Sequence, residues 1–201
     1  MILKKDFYRR TDVVTIAKEL LGKIVVTHID GRYTAGMIVE TEAYAGATDK
    51  ASHAFGNRRT PRTDIMYAPG GVAYVYLCYG IHHLFNVVTN VQETPHAVLI
   101  RAIEPLEGTD IMLERRKKEK LLPSLTAGPG AMSEALGIKT RHTGIPLTGK
   151  EIYIEDRGIA IPQSQVGTAT RVGVAYAEED ALLPYRFFVK ENAYVSKGKG
   201  L

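Results

Sequence analysis

Ile38-Val39-Glu40-Thr41-Glu42-Ala43-Tyr44 begins as a strand and ends with a carboxylate beside an aromatic ring. Its β-branched Ile38, Val39 and Thr41 favour extended backbone, with side chains alternating between two faces. Glu40 and Glu42 therefore share one face, opposite Val39 and Thr41. A solvated sheet edge running into a turn accounts for one acid in such a strand. Two acids followed by Ala43-Tyr44, then Gly46 and His53, are a less ordinary ending for a buried-strand pattern.

Upstream, Val13, Ile16, Ala17, Leu20 and Leu21 carry the spacing of a helix with one buried face. Thr11 or Asp12 can cap it, and Gly22 suits its end. Lys23–Ile29 reads as a strand, Asp30-Gly31 as a tight hairpin turn, and Tyr33–Glu42 as the return strand. Glu42 is thus expected on rigid scaffold.

Downstream, residues 46–62 are rich in small and polar side chains and carry His53 and Arg58-Arg59. Thr60-Pro61 predicts a cap and first turn of a short helix reaching about Tyr67, broken by Ala68-Pro69-Gly70-Gly71. Val72–Tyr79 is the strongest strand pattern, and the chain resumes extended from His82 to Asn90. This places Tyr79-Gly80-Ile81 near a hairpin tip, where core packing does not explain two apolar side chains; a tip folded back on its own sheet is the alternative. A strand over His96–Glu104, a charged helix from about Asp110 to Leu121, and a short helix from Pro129 to Gly137 follow. Strands over Ile152–Glu155, Ala169–Val174 and Arg186–Lys190 complete the reading. It describes one α+β domain over 1–201: a curved, largely antiparallel sheet, flanking helices and a protruding β-hairpin.

The composition of the 201 residues is ordinary for a globular chain, 45% apolar and 24% charged. A single cysteine, Cys78, excludes an internal disulfide and fits a reducing compartment. No apolar run approaches the ~20 residues of a membrane span, and no secretory leader is evident, so a cytoplasmic location (with the nucleoid in a bacterium) is expected. The net charge of +4 allows an anionic partner, although Arg115-Arg116-Lys117-Lys118 reads equally as a solvated face.

Several chemistries lack their residues. No Cys-x-x-Cys, His-Glu-x-x-His or EF-hand loop is present, and adjacent His82-His83 would point to opposite faces of a strand. No metal or cofactor is therefore expected. Cys78 falls within an apolar strand run, a poor setting for a nucleophile. Gly70-Gly71 lacks the lysine and serine of a phosphate loop. Glu42, Tyr44, His53, Tyr76, Asn86 and Arg101 remain, with the Tyr79-Gly80-Ile81 tip.

These residues lie in segments that resemble the 3-methyladenine DNA glycosylase family of the alkyladenine type. The matching stretches are Ile38–Tyr44, Thr60-Pro61-Arg62, Tyr74-Val75-Tyr76 through Tyr79-Gly80, Leu99–Gly108 and Arg171-Val172-Gly173-Val174. They occur in family order over most of the chain. The resemblance implies that Glu42 activates a water on the sugar, helped by Arg101 and the backbone carbonyl of Val172. A strand-end salt bridge and an ordinary strand carbonyl are the plainer roles for those two. It also implies that a flipped purine lies between Tyr44 and Tyr76, with His53 along one edge and Asn86 beside the purine 2-position. Tyr79 and Ile81 would wedge the duplex, and Arg58, Thr60 and Arg62 would line its DNA side. The implied partner is double-stranded DNA containing damaged purines, bound by a monomer. A nucleoside N-ribohydrolase and a non-catalytic nucleic-acid-binding module are the rivals. The first has no use for an apolar wedge, and the second has none for an acid that repels phosphate.

Overall fold

In the computed structural model, which describes residues 1–198 and 200, β1 (Ile24–Ile29) and β2 (Arg32–Tyr44) form the expected hairpin. Asp30 and Gly31 both take left-handed backbone, φ 54° and 71°, as a tight turn between twisted strands requires. β3 (Ala73–Cys78) and β4 (His82–Thr89) form a second hairpin. β5 (His96–Glu107), β6 (Ile152–Glu155), β7 (Val166–Ala169) and β8 (Arg186–Val189) complete one antiparallel sheet, ordered β3-β4-β5-β2-β1-β6. β2 is shared three ways. Along one edge it pairs with β5; along the other, β1 covers residues 32–37 and β8 covers residues 40–42. Register shifts against β5 on either side of Glu40 raise the local twist and help curl the sheet.

Among the described residues four α-helices flank it: α1 (Lys5–Tyr8), α2 (Val13–Glu19), α3 (Thr109–Arg115) and α4 (Pro129–Leu136). The Asp12 side chain caps α2 by accepting from the Thr15 amide, and Val13, Ile16 and Ala17 turn inward. Thr41 donates its hydroxyl to the Ala17 carbonyl at 2.8 Å, so α2 packs on the Val39/Thr41 face of β2 and leaves the two glutamates on the other. Ile16, Leu20, Ile38, Phe85, Ile100 and Phe187 are sealed in the core between them. No described helix is long and apolar enough to cross a membrane.

Three expectations need correction. The helix expected to reach Leu121 stops at Arg115, because Lys117 turns left-handed at φ 51° and breaks the ladder. The strand expected over Ala169–Val174 lies instead at Val166–Ala169, and Arg171–Val174 leave the sheet to cross its end. The helix expected from Pro61 is a 3-10 turn over Asp64–Tyr67; the Thr60 and Thr63 hydroxyls bond each other and the loop backbone ahead of it.

The crossing segment is held by a buried ion pair. Arg171 grips Asp49 with both terminal nitrogens, at 2.5 and 2.9 Å, and also donates to the carbonyls of Ala43 and Asp180. Asp49 in turn accepts from the amides of Ala45 and Ala51. Removing one partner strands a buried charge, so Asp49→Ala should lower the unfolding free energy by about 3–5 kcal/mol. Glu19→Ala, which breaks the half-exposed pair with Arg10, should cost under about 1 kcal/mol. Urea denaturation of both variants checks the contrast, and equal losses would show that Arg171 does not need its partner.

Candidate active site

One row of paired residues crosses the sheet: Tyr74 of β3, Asn86 of β4, Leu99 of β5, Glu42 of β2 and Arg186 of β8. Directly paired residues project from the same face. Two positions to one side on that face stand Tyr76, Leu84, Arg101 and Glu40; two positions to the other stand Ala97 and Tyr44. The alternation of strand side chains thus sets Tyr44 and Tyr76 on opposite flanks of the row carrying Glu42 and Asn86. Above it opens a cavity of about 580 Å³, lined by Tyr44, His53, Tyr74, Tyr76, Asn86, Arg101 and Val172 among others.

Glu42 is fully buried, as is Glu40, and lies behind the cavity lining, in contact with Tyr44, Arg101 and Val172, which do line it. One Glu42 oxygen, Oε2, accepts from the Tyr44 hydroxyl at 2.8 Å; Oε1 accepts from the Val172 amide at 2.8 Å and lies 3.2 Å from Arg101 Nη1. The structure joins Val172 to Glu42 through its N–H, a contact separate from the water-holding role that the resemblance implies for its carbonyl. Arg101 also donates from Nε to Glu40 at 2.9 Å. Burial works against the Arg101 charge, but Glu42 and Glu40 outweigh it and hold the guanidinium pKa above its ordinary value. Burial, reinforced by the Glu42 charge, pushes the Tyr44 hydroxyl well up, so it stays a donor.

His53 and the strand tyrosines form the opposite wall. His53 Nδ1 lies 2.8 Å from the Tyr74 hydroxyl, and its ring meets Tyr76 edge-on at 4.7 Å between centroids. Tyr74, pushed up to about 12 by burial, keeps its proton. Asn86 uses its amide nitrogen on the carbonyls of Tyr74 and Leu84, both at 3.2 Å. That bonding fixes the side chain and leaves Oδ1 as its remaining polar atom at the cavity wall. Cys78 closes β3 rather than sitting mid-strand, and it lines the same cavity half-buried.

The hairpin tip projects as expected. Tyr79 is 91% exposed and Ile81 70%, beside the cavity mouth, and Tyr79 sits in the left-handed region at φ 50°. Arg58 and Arg62 are exposed on the loop next to His53, near enough to depress its protonation. Arg59 is committed to Asp64 and Glu93 and lies over the Tyr67 ring. Thr60 belongs to the hydroxyl pair with Thr63.

Sequence reasoning missed Tyr74, Asp49, Tyr176 and Ser196. Tyr74 was within reach, being two residues before Tyr76 and hence on its face. Tyr176 lines the cavity and donates to the Ala51 carbonyl at 3.0 Å, and Ser196 bonds Glu40 and Arg101. Neither carries a local signal, because both act across the fold. Among the described residues no three His, Cys, Asp or Glu side chains cluster as metal ligands would.

A model of the methylpurine-DNA glycosylase family matches residues 6–193. A Chlamydia felis protein named "Putative 3-methyladenine DNA glycosylase" is 48% identical over 192 residues, covering 94% of this chain and 96% of its own. Proteins with the same name from Clostridium perfringens strain 13 and Desulfitobacterium hafniense are 44% and 42% identical, covering 98% and 96% of this chain and 100% and 98% of theirs.

Burial, aided by Arg62 and Arg58, lowers the His53 pKa from 6.5 to about 4. The unfolded chain then binds this proton first as pH falls. The stability due to neutral His53 is fully present above 6.5 and is lost as pH falls toward about 4. Urea unfolding of wild type and His53→Gln between those limits should show their stability difference shrinking with acid. A constant difference would show that His53 titrates normally.

Proposed function

The chain belongs to the methylpurine-DNA glycosylase family, and from that premise we propose which bond it breaks and how. It flips alkylated or deaminated purines (3-methyladenine, 7-methylguanine, hypoxanthine and ethenoadenine) out of duplex DNA and hydrolyses their N-glycosidic bond. An abasic site remains. The observation that carries this reading is a buried Glu42 carboxylate held directly behind Tyr44, Arg101 and Val172, which line an aromatic cavity large enough for a purine.

As the base departs, positive charge develops on the deoxyribose. Glu42 stabilises that charge and takes a proton from the attacking water. Arg101 and the Val172 amide hold Oε1, and the Tyr44 hydroxyl holds Oε2, so the carboxylate is oriented before substrate arrives. Tyr44 and Tyr76 flank the space for the base. A cationic alkylpurine between such rings gains roughly 0.5–2 kcal/mol that a normal base does not. Asn86, fixed by two carbonyls, presents an acceptor and a wall beside the purine 2-position, where the guanine amino group is crowded. His53 Nδ1 shares a hydrogen bond with the Tyr74 hydroxyl, and in the tautomer whose Nδ1 accepts, Nε2 carries the hydrogen offered to the base edge.

Flipping costs a few kcal/mol of lost stacking. Tyr79, with Ile81 beside it, fills the gap, while Arg58 and Arg62 contact phosphates without reading sequence. The reading is of a monofunctional glycosylase, because no lysine matches a Schiff-base nucleophile in the family's pattern and strand cleavage is not expected to accompany base loss. The exposed wedge disfavours a nucleoside hydrolase, and the buried acid disfavours a bare binding module.

Glu42→Gln keeps the shape but cannot accept the water proton. Base release from a duplex carrying one defined lesion, scored as alkali-labile sites, should fall below detection while lesion-duplex binding stays near wild type. Retained turnover would remove Glu42 from the mechanism.

Tyr79→Ala should weaken lesion-duplex binding yet scarcely alter excision from single-stranded DNA, where little stacking needs replacing. Equal losses on the two substrates would assign Tyr79 to the pocket or the fold.

A further inference from the structure

Beyond β8 the chain turns back over the site. Asn192 anchors the turn by donating to Glu104 at 2.7 Å, and Tyr194 and Val195 pack against the main core. Ser196 then reaches the buried charges. Its amide donates to Glu40 Oε2 at 2.7 Å, its hydroxyl donates to Glu40 Oε1 at 2.9 Å, and the same hydroxyl oxygen accepts from Arg101 Nη2 at 3.3 Å. Two residues on, the Gly198 carbonyl accepts from Arg186 at 2.6 Å. A Cβ at Gly198 would lie 3.1 Å from a Val172 methyl and 3.3 Å from Arg101 Nη2, so the segment passes tightly over both. Tyr194 to Gly198 lie outside the residues 6–193 that the family model matches.

The three nitrogens of Arg101 have one task each: Nε on Glu40, Nη2 on Ser196, Nη1 beside Glu42. A guanidinium is rigid and planar, so fixing two corners determines the third. Ser196 also brings two donors to Glu40, which otherwise competes with Glu42 for Arg101, the other buried cation, Arg186, standing 3.8 Å from Glu40. We propose that Ser196 is a positioning residue of the active site: by bridging Glu40 and Arg101 it sets the plane of the guanidinium and so presents Nη1 to Glu42. Ser196 touches neither substrate nor water. It acts through Arg101.

This inference rests on Glu42 being the water-activating group, and the test separates the two claims. Single-turnover base release and lesion-duplex Kd are measured on duplex DNA carrying 3-methyladenine, beside a thermal melt. Ser196→Ala should release base about ten-fold more slowly with Kd unchanged, the size expected when one charge-assisted contact in the transition state is lost. Ser196→Thr keeps the hydroxyl, its added methyl going toward solvent from a half-exposed position, and should recover most of the rate. In a Glu40→Gln background, where the competition is already relieved, Ser196→Ala should cost much less than in wild type. A wild-type rate in Ser196→Ala overturns the proposal. So does a loss that Thr does not recover, or one that follows Kd or melting temperature. Glu42→Gln in the same assay reports on the premise: if it retains turnover, the functional reading itself has failed. If it is inactive while Ser196→Ala is unimpaired, only the role of Ser196 is lost.

Discussion

Two carboxylates and two guanidiniums are buried on a single face of the sheet: Glu40 and Glu42 are fully enclosed, the Arg101 side chain is 7% exposed and that of Arg186, 3.8 Å from Glu40, is 10% exposed. Burying ions costs several kcal/mol each, and pairing offsets that only when further hydrogen bonds satisfy the remaining lone pairs. Donors must come from elsewhere, and the structure shows where it finds them. Tyr44 and Val172 supply Glu42, and Ser196 supplies Glu40, with Arg186 at 3.8 Å. The course of the chain around β2 follows from this need. Arg171–Val174 leave the sheet and lay an amide on Glu42, and the segment after β8 doubles back to Glu40.

Arg171 shows the same constraint one step removed. Its guanidinium is wholly buried between the rings of Tyr44 and Tyr185, at 4.8 and 5.3 Å, while paired with Asp49. It cannot shift without opening that pair or uncovering the ring of Tyr44. The residue beside it, Val172, is thereby held where its N–H meets Glu42. A structural ion pair and the buried Glu42 carboxylate are thus joined by one peptide unit, which ties the rigidity of the loop to the geometry of the site.

The parts legible in the sequence are those set by local rules. The β1–β2 hairpin follows from Asp30-Gly31, α2 from its apolar spacing and Asp12, and the shared face of Glu40 and Glu42 from strand alternation. The projecting tip follows from Gly80 between two strong strand patterns. What could not be read depends on partners distant in sequence. Ala169–Val174 has the composition of a strand, yet Arg171 leaves the sheet because Asp49, 122 residues earlier, binds it. Residues after Arg115 look helical, and Lys117 breaks the pattern with no glycine or proline to announce it. The glutamates read equally as solvated until Arg101 and Ser196 are placed against them, and neither lies nearby along the chain.

That separation bears on how the protein reaches its folded state. The contacts that neutralise the two glutamates span 61 residues to Arg101, 130 to Val172 and 156 to Ser196, so each closes a long loop. Contacts of this kind form late, because the entropy of closure is lost before they reward it. A partly folded chain with β1–β5 assembled, but without the segments around Val172 and Ser196, would hold two buried acids short of donors. The donors to the two glutamates thus tie the sheet to two segments that lie 130 and 156 residues away along the chain, and losing either segment would leave a buried acid short of donors.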